Sequence, residues 1–427
     1  MSPRAKMARA FMLVCAISLL GVRPAVAAPG DLDRKFGTDG IVQTDFAGKA
    51  DIARAVAIQP DGKIVAVGSS GHRFAVVRYL ADGSPDPSFS FDGLLKTDVG
   101  DAGTATAVAV QDDGRILVAG GATRRFVAVR YLRNGAIDRS FGGDGIVKIG
   151  FDDGAASAED VVVHTDGRIL LAGGVTGVSG GFFFGRFALA RLEADGSFDR
   201  TFGTKGRVVS RMHRCCGGGI TAVALQDDGR IVATGGSGRE QYTLARYDSR
   251  GALDESFGDE GVVFTEFHNG RSNDVAIQAD DRIVVAGTAG YFSPTDFGLV
   301  RYRANGSLDD SFGGDAKVRT DFGGDSTGTS VVVQPNGKVV VGGGVGRHEI
   351  DPYEQFAMAR YRHDGSRDTS FGSDGRVVTE FPFRDGPDIG GGIRDLALQG
   401  DGRIVAVGGR PSRQGAEAFV LARFLPA

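Results

Sequence analysis

Hydrophobic residues in this 427-residue chain fall in short runs that Gly, Asp and Asn interrupt. Within each run the apolar residues follow one another instead of alternating strictly with polar residues, and Val and Ile are frequent. Runs this short and this often broken by Gly predict β-strands, and continuous apolar character is typical of strands buried on both faces. We name the four successive strands A to D. In the first complete copy they are Arg54–Gln59, Lys63–Gly68, Phe74–Leu80 and Leu94–Thr97.

The four-strand unit is repeated along the chain. Between strands C and D each copy carries an Asp, two variable residues, a Phe and, in all but one copy, a Gly; Ser90 takes the place of that Gly in the second copy. The copies are 52 to 61 residues apart, and a near-constant period of this size indicates a propeller or a solenoid. The motif begins at Asp33, Asp86, Asp138, Asp199, Asp254, Asp309 and Asp368.

The two ends of the chain complement each other. Strands A, B and C occur seven times, but the last C strand, Phe419–Leu425, has no D strand after it. An additional D strand, Gly40–Thr44, precedes the first A strand. The sequence therefore predicts an all-β, seven-bladed β-propeller of four-stranded antiparallel blades, closed by the N-terminal strand completing the last blade. We expect residues 28–427 to form this single domain.

An Arg recurs in every C strand. A residue present in all seven units is expected to be structural, and we predict that it pairs with a carboxylate or carbonyl near the C–D link. The motif Asp is expected to accept backbone N–H groups, and the Phe to pack between sheets. The seven arginines are Arg78, Arg130, Arg191, Arg246, Arg301, Arg360 and Arg423.

The repeated motifs resemble the delta-60 repeat family of bacteria. The segments "ANGSLDDSFGGD" (Ala304–Asp315) and "AIQPDGKIVAVG" (Ala57–Gly68) carry this resemblance, which extends over nearly all of residues 28–427. The resemblance implies a β-propeller in an exported or cell-surface protein. It implies no particular activity.

The N-terminus has the pattern of an export signal. Basic residues precede the apolar segment 10–22, and small residues at Ala25–Ala27 predict cleavage after Ala27. We therefore expect a secreted, periplasmic or cell-surface protein without stable membrane insertion after cleavage. The net charge of −4 and the lack of a basic cluster argue against nucleic-acid binding. Cys215 and Cys216 are the only cysteines after the signal, so disulfides do not staple the fold.

Variation among the repeats indicates where a partner could bind. The A–B turns and C–D links barely vary, whereas the B–C and D–A connections at the opposite end differ strongly, notably in 174–186, 344–355, 380–393 and 409–418. Loops that vary on one face favour a binding role for that face, although unconstrained drift gives the same pattern. The binding candidates are Phe182, Phe183, Phe184, His213, His348, Asp351, Tyr353, Arg384 and Asp385.

The chemistry of these candidates leaves alternatives open. His213 beside Cys215 and Cys216 lacks further ligands at a spacing that suits a metal, so a vicinal disulfide or two free thiols is the preferred interpretation. The polar residues from His348 to Glu354 fit either acid–base catalysis or a solvated loop. Phe182–Phe184 fit either an exposed contact or a segment folded back onto the ring.

The sequence thus favours a monomeric, non-enzymatic binding or scaffold module. Its partner would be a protein or a surface polymer, and we predict no catalytic residue, metal or cofactor. The alternative is a hydrolase or lyase with an active site at the axial mouth of the same face.

Overall fold

The computed structural model describes residues 27–47, 51–152, 154–179, 182–212, 218–236, 241–268, 270–290, 294–347, 351–379, 381, 391–410 and 418–426. Across these ranges the chain forms 28 strands in seven four-stranded antiparallel sheets, which confirms the predicted seven-bladed propeller. No helix in the same ranges is long and apolar enough to cross a bilayer.

Every blade has the same strand order, and the A strands contact one another around the ring, so they are innermost. The A strands are β2 (Asp51–Ile58), β6 (Thr104–Val110), β10 (Ala155–Val163), β14 (Ile220–Leu225), β18 (Arg271–Ile277), β22 (Ser326–Val333) and β26 (Ile393–Leu398). The B strands are β3 (Ile64–Ser70), β7 (Ile116–Ala122), β11 (Ile169–Ser179), β15 (Ile231–Gly235), β19 (Ile283–Ala289), β23 (Val339–Arg347) and β27 (Ile404–Arg410). The C strands are β4 (Arg73–Tyr79), β8 (Arg125–Tyr131), β12 (Phe182–Leu192), β16 (Tyr242–Tyr247), β20 (Asp296–Tyr302), β24 (Asp351–Tyr361) and β28 (Ala418–Phe424). The D strands are β1 (Ile41–Thr44), β5 (Leu94–Thr97), β9 (Ile146–Ile149), β13 (Arg207–Ser210), β17 (Val262–Thr265), β21 (Lys317–Thr320) and β25 (Arg376–Thr379). Blade 1 comprises β2 to β5, and blades 2 to 6 follow in order.

The seventh blade joins the two ends of the chain. Its strand order is β1-β28-β27-β26, and β1 pairs with β28 from Ile41 opposite Ala422 to Thr44 opposite Phe419. The ring of Phe46 also packs against that of Phe419, with centroids 5.1 Å apart. The predicted closure by the N-terminal strand is therefore confirmed.

The hydrophobic core lies between neighbouring blades. All seven residues of β3 are buried, and each core cluster combines side chains from two adjacent sheets. One cluster, for example, joins Val405 and Leu421 of blade 7 to Ala66 and Val77 of blade 1. Both faces of the central strands are covered, which explains why their apolar residues do not alternate with polar ones.

An Arg–Asp–Phe unit fixes the C–D link in each blade. The Arg of strand C donates from Nε to the motif Asp over 2.7–3.1 Å, and its guanidinium lies 4.4–4.7 Å from the centroid of the motif Phe. In six blades the same Arg also donates to a backbone carbonyl of the next blade. The pairs are Arg78–Asp86, Arg130–Asp138, Arg191–Asp199, Arg246–Asp254, Arg301–Asp309, Arg360–Asp368 and Arg423–Asp33.

A second basic residue contacts each motif Asp, which the sequence analysis missed. It directly precedes strand B, and its nitrogen lies 2.8–3.4 Å from the carboxylate. Burial alone would raise the pKa of Asp86, but Ser88, Arg78 and Lys63 together lower it to about 2. The seven residues are Lys63, Arg115, Arg168, Arg230, Arg282, Lys338 and Arg403, and their recurrence was visible in the sequence.

Two connections predicted to be long loops are largely β-structure. Strand β11 continues to Ser179, and β12 begins at Phe182, with Gly177 opposite Phe184. Strand β23 likewise continues to Arg347, and β24 begins at Asp351. Strand pairing satisfies the backbone hydrogen bonds of these Gly-rich segments, so the hairpins extend beyond the face of the ring. In blades 1 and 2 the same hairpin ends in two residues, Gly71–His72 and Thr123–Arg124.

The contact between blades 4 and 5 differs in sequence from the other blade contacts. Tyr242 of blade 4 stands where the other six C strands have Phe, and its buried hydroxyl has no hydrogen-bond partner among the described residues. It lies against Gly298 of blade 5, where a Cβ atom would be 2.2 Å from that hydroxyl. Every other blade has a larger residue at the position of Gly298, so the Tyr and the Gly occur together.

We predict that Gly298→Ala lowers the free energy of unfolding by roughly 1–3 kcal/mol, because the methyl group overpacks this contact. Tyr242→Phe is expected to be neutral or stabilising, since it removes an unpaired buried hydroxyl. In the Tyr242→Phe background, Gly298→Ala should cost clearly less. Denaturant titration of the four proteins measures this coupling, and an equal cost in both backgrounds would contradict the predicted contact.

Candidate functional site at the propeller axis

Each A strand contains a β-bulge at the same position. In blade 1, Ala53 pairs with Gly68 and Ala55 with Val67, so Arg54 is the additional residue. A bulge re-aims its side chain, and here it lies on the strand that borders the axis. The seven bulged residues are Arg54, Thr106, Glu159, Thr221, Asn273, Thr329 and Arg394.

These residues form a polar ring around a cavity of about 140 Å³. All seven line it, so the cavity lies on the axis. They occupy the half of the A strand nearer the variable B–C and D–A connections, or close to its middle. In this chain the bulge is therefore the device that presents one side chain from every blade to the axial mouth.

A second layer lies one residue further along each A strand, away from the variable face. It contains three carboxylates in alternate blades, Asp160, Asp274 and Asp395. Each accepts its neighbour's backbone N–H at 2.7–2.8 Å and an N–H of the next blade at 2.7–2.9 Å. The last of these interblade bonds runs from Val56 to Asp395, across the junction between blades 7 and 1. The carboxylates therefore connect neighbouring inner strands at three of the seven blade junctions.

Burial dominates the protonation of this layer. It raises the pKa of Asp274 to about 7, although the hydrogen bond from Val331 opposes the shift and the negative charge of Asp395 adds to it. Burial likewise raises the pKa of Asp395 to about 6, against its hydrogen bonds from Val56 and Leu396. Burial also raises the pKa of Glu159 in the outer layer, while Ser157 and Arg54 lower it.

Three of the four neutral members of the ring donate hydrogen bonds to backbone carbonyls of the next blade. Thr106 donates to the carbonyl of Ala158 at 2.8 Å, and Thr329 donates to that of Ile393 at 2.5 Å. The Asn273 amide donates to the carbonyl of Gly328 at 2.7 Å. The oxygen atoms of these side chains therefore remain as acceptors beside the cavity.

An adjoining groove extends the site over blades 2 and 3. Its volume is about 370 Å³, and it shares Arg54, Thr106 and Glu159 with the axial cavity. Its outer wall includes Thr123 and Arg124, both in the left-handed region with φ of 50° and 63°. Non-Gly residues rarely adopt this conformation outside constrained turns, and here the two-residue B–C hairpin requires it.

The described residues that line this cavity do not include any of the predicted binding candidates. His213, His348, Arg384 and Asp385 lie outside the described residues, as do Cys215 and Cys216. The backbones of Phe182–Phe184, Asp351 and Tyr353 belong to β12 and β24, but their side chains are outside the described part. Their binding role stays a prediction. His268, another histidine of the variable face, is exposed beside Phe267 and does not line the axial cavity.

The axial residues could have been found in the sequence by aligning the repeats. Two positions after each bulge the chain has Val in six blades and Leu in the seventh, whereas the bulged position holds Arg, Thr, Glu or Asn. Sequence variation beside a constant position was the available signal. Among the described residues, no three His, Cys, Asp or Glu side chains are grouped so that they could hold a metal ion.

The repeats match a known family of propellers. Six stretches of this chain match the family model described as "Domain of unknown function (DUF5122) beta-propeller". Each stretch runs from about the end of strand A to the C–D link of one blade. The seventh blade, whose C–D link is at the other end of the chain, is not among these stretches. The matched residues are 59–89, 111–141, 164–202, 226–257, 278–312 and 334–371.

Solved structures with a similar fold include two lyases. Selenomethionine-substituted virginiamycin B lyase from Staphylococcus aureus aligns with a TM-score of 0.51 at 9% identity, covering 90% of this chain and 98% of the lyase. A streptogramin B lyase also gives 0.51 at 9% identity, covering 90% and 97%. At this identity the likeness shows the fold alone. No curated protein gives a significant sequence match.

The raised pKa values predict a specific pH dependence of stability. Asp274 and Asp395 bind more protons in the folded state than in the unfolded state, where an Asp titrates near 3.9. Their contribution is therefore complete below about pH 4 and is lost as pH rises to 6–7, by at most about 1.4 kcal/mol per pH unit for each group. The motif aspartates have the opposite effect, because the pKa of Asp86 and that of Asp199 are lowered to about 2. Their contribution to the free energy of unfolding is lost as the pH falls below about 4.

Denaturant unfolding at pH 4.5, 6.0 and 7.5 should show the free energy of unfolding falling across this range. Asp274→Asn should reduce the slope between pH 6.0 and 7.5, whatever its effect on absolute stability. Asp61→Asn, in an exposed turn, is the matched control and should leave the slope unchanged. A wild-type stability that rises from pH 4.5 to 7.5 would contradict the assignment.

Proposed function

We propose that this protein is an exported, non-enzymatic β-propeller of the delta-60 type that binds a protein or a surface polymer. The B–C/D–A face would form the contact, with the axial mouth at its centre. The observation that carries this proposal is the divergence of the seven bulged residues beside repeated neighbours. Contacts that hold a ring together recur in every blade, whereas a site for one ligand is built once, from different residues.

The extended hairpins support the same face. Those of blades 3 and 6 continue beyond the two-residue turns of blades 1 and 2 and so raise the rim on two sides of the ring. The alternative, a hydrolase or lyase, has one observation in its favour, since Asp274 and Asp395 have pKa values suited to proton transfer near neutrality. Against it, both oxygens of each carboxylate accept backbone N–H groups, which gives them a structural use.

The test uses residues 28–427 as bait against culture supernatant and envelope extract of the producing cells. A second bait has residues 176–185 and 346–354 each replaced by Gly-His, the turn of blade 1. Strand register allows this change, because Val175 pairs with Arg186 and Val345 with Gln355, as Ser70 pairs with Arg73. Equal melting temperatures of the two baits would show that the ring is intact.

We expect the native bait to retain a partner that the shortened bait loses, and the purified partner should then bind in a saturable manner. Equal capture by both baits, or no capture by either, would contradict binding through this face. Turnover of a captured molecule by the native bait would favour the enzyme alternative.

A further inference from the structure

The axial cavity has an uneven distribution of charge. In its outer layer, Arg394 of blade 7 and Arg54 of blade 1 are neighbours on one side. The groups on the other blades are Glu159, three threonines and Asn273. Arg394 is exposed and has no hydrogen bond or ion pair with any described residue, whereas Arg54 interacts with Glu159 electrostatically. One side of the mouth can therefore receive an anionic group.

The inner layer has the opposite character. It holds Asp160, Asp274 and Asp395 but no basic side chain. In the adjoining outer layer, the hydroxyl hydrogens of Thr106 and Thr329 and one amide hydrogen of Asn273 are already donated to backbone carbonyls. The side-chain atoms left to face the cavity are therefore rich in hydrogen-bond acceptors. Such a lining suits an ammonium group, which offers three donors and no acceptor.

We infer that the axial cavity binds a small zwitterion, with its primary ammonium in the inner layer and its carboxylate or other anionic group at Arg394 and Arg54. This inference rests on the proposed function, since it takes the axial mouth as the binding site. The cavity of about 140 Å³ limits the buried portion to a small group. The groove of about 370 Å³ that shares Arg54 and Glu159 has room for a longer ligand to continue over blades 2 and 3.

Other ligand classes fit the same lining less well. A simple anion would approach Arg394 but would meet the three carboxylates beneath it. A diamine would satisfy the carboxylates but would place its second cation beside the two arginines. A bare divalent cation would need several ligands at short distance, and no group of three acidic or histidine side chains in the described chain is arranged for one.

Isothermal titration calorimetry on residues 28–427 at pH 7.5 tests the inference. The probes are β-alanine, 4-aminobutyrate and 6-aminohexanoate, which share both charged groups and differ in their separation. Pentanoate, which carries only a carboxylate, and 1,5-diaminopentane, which carries only ammonium groups, are the matched control probes. We expect saturable binding of at least one zwitterion, at an affinity about tenfold or more above both matched probes.

Two variants assign the two ends of the ligand. Arg394→Gln should weaken zwitterion binding about tenfold or more, and because Arg394 is exposed without a partner the melting temperature should not change. Asp274→Asn should also weaken it, and its melting temperature reports whether the ring is intact. Arg250→Gln, an exposed residue of the blade 4 C–D link at the opposite face, is the control and should bind as wild type.

The inference is overturned if no zwitterion binds saturably, if 1,5-diaminopentane or pentanoate binds as tightly, or if Arg394→Gln binds as wild type. These results would leave the proposed function intact wherever the native bait still captures a partner that the shortened bait loses. If no zwitterion binds and the native bait captures no partner that the shortened bait loses, the axial mouth is not a binding site.

Discussion

The hydrogen bonds between β1 and β28 join the two ends of the chain in one sheet and so close the ring. The β1 segment also brings Asp33 to Arg423 and Phe36 beneath the same guanidinium. Without it, β28 would be an unpaired edge and Arg423 would be a buried cation without its carboxylate, a costly arrangement. A propeller whose first and last strands share a sheet makes the fold cooperative across the whole chain.

Charged side chains make different contacts on the constant face and near the axis. On the constant face, each motif Asp lies between two basic side chains, and seven copies of this unit fix the C–D links. Near the axis, three aspartates connect neighbouring A strands through backbone N–H groups and have no basic partner of this kind. The repeated units secure the ring, and the bulged positions are therefore free to differ from blade to blade. This division explains how a highly repetitive chain presents different side chains from its seven blades at the axis.

The architecture was predictable because its causes are local and repeated. Continuous Val- and Ile-rich runs such as Ile64–Val67 identify strands buried on both faces, and the unmatched strands at the two chain ends require closure. The contact between Lys63 and Asp86 was missed, although a basic residue recurs at the position of Lys63 in every blade. The reason is that this contact joins two segments that are separate in sequence, the A–B turn and the C–D link. The bulge at Arg54 depends on the pairing of β2 with β3, so the sequence shows it only indirectly, as a variable position two residues before a constant Val or Leu. The hairpin ends near Ser179 and Arg347 were misjudged because Gly-rich composition resembles that of a loop, while pairing across the hairpin decides the outcome.

Native-state hydrogen exchange of the amides in Ile41–Thr44 tests the closed ring most directly. If β1 is an integral strand of blade 7, its hydrogen-bonded amides should exchange only through global unfolding, with the same free energy as the central residues of β28. If instead they exchange at the rate of an unstructured peptide while β28 stays protected, the ring is open at this junction. The propeller would then not be closed by its N-terminal strand.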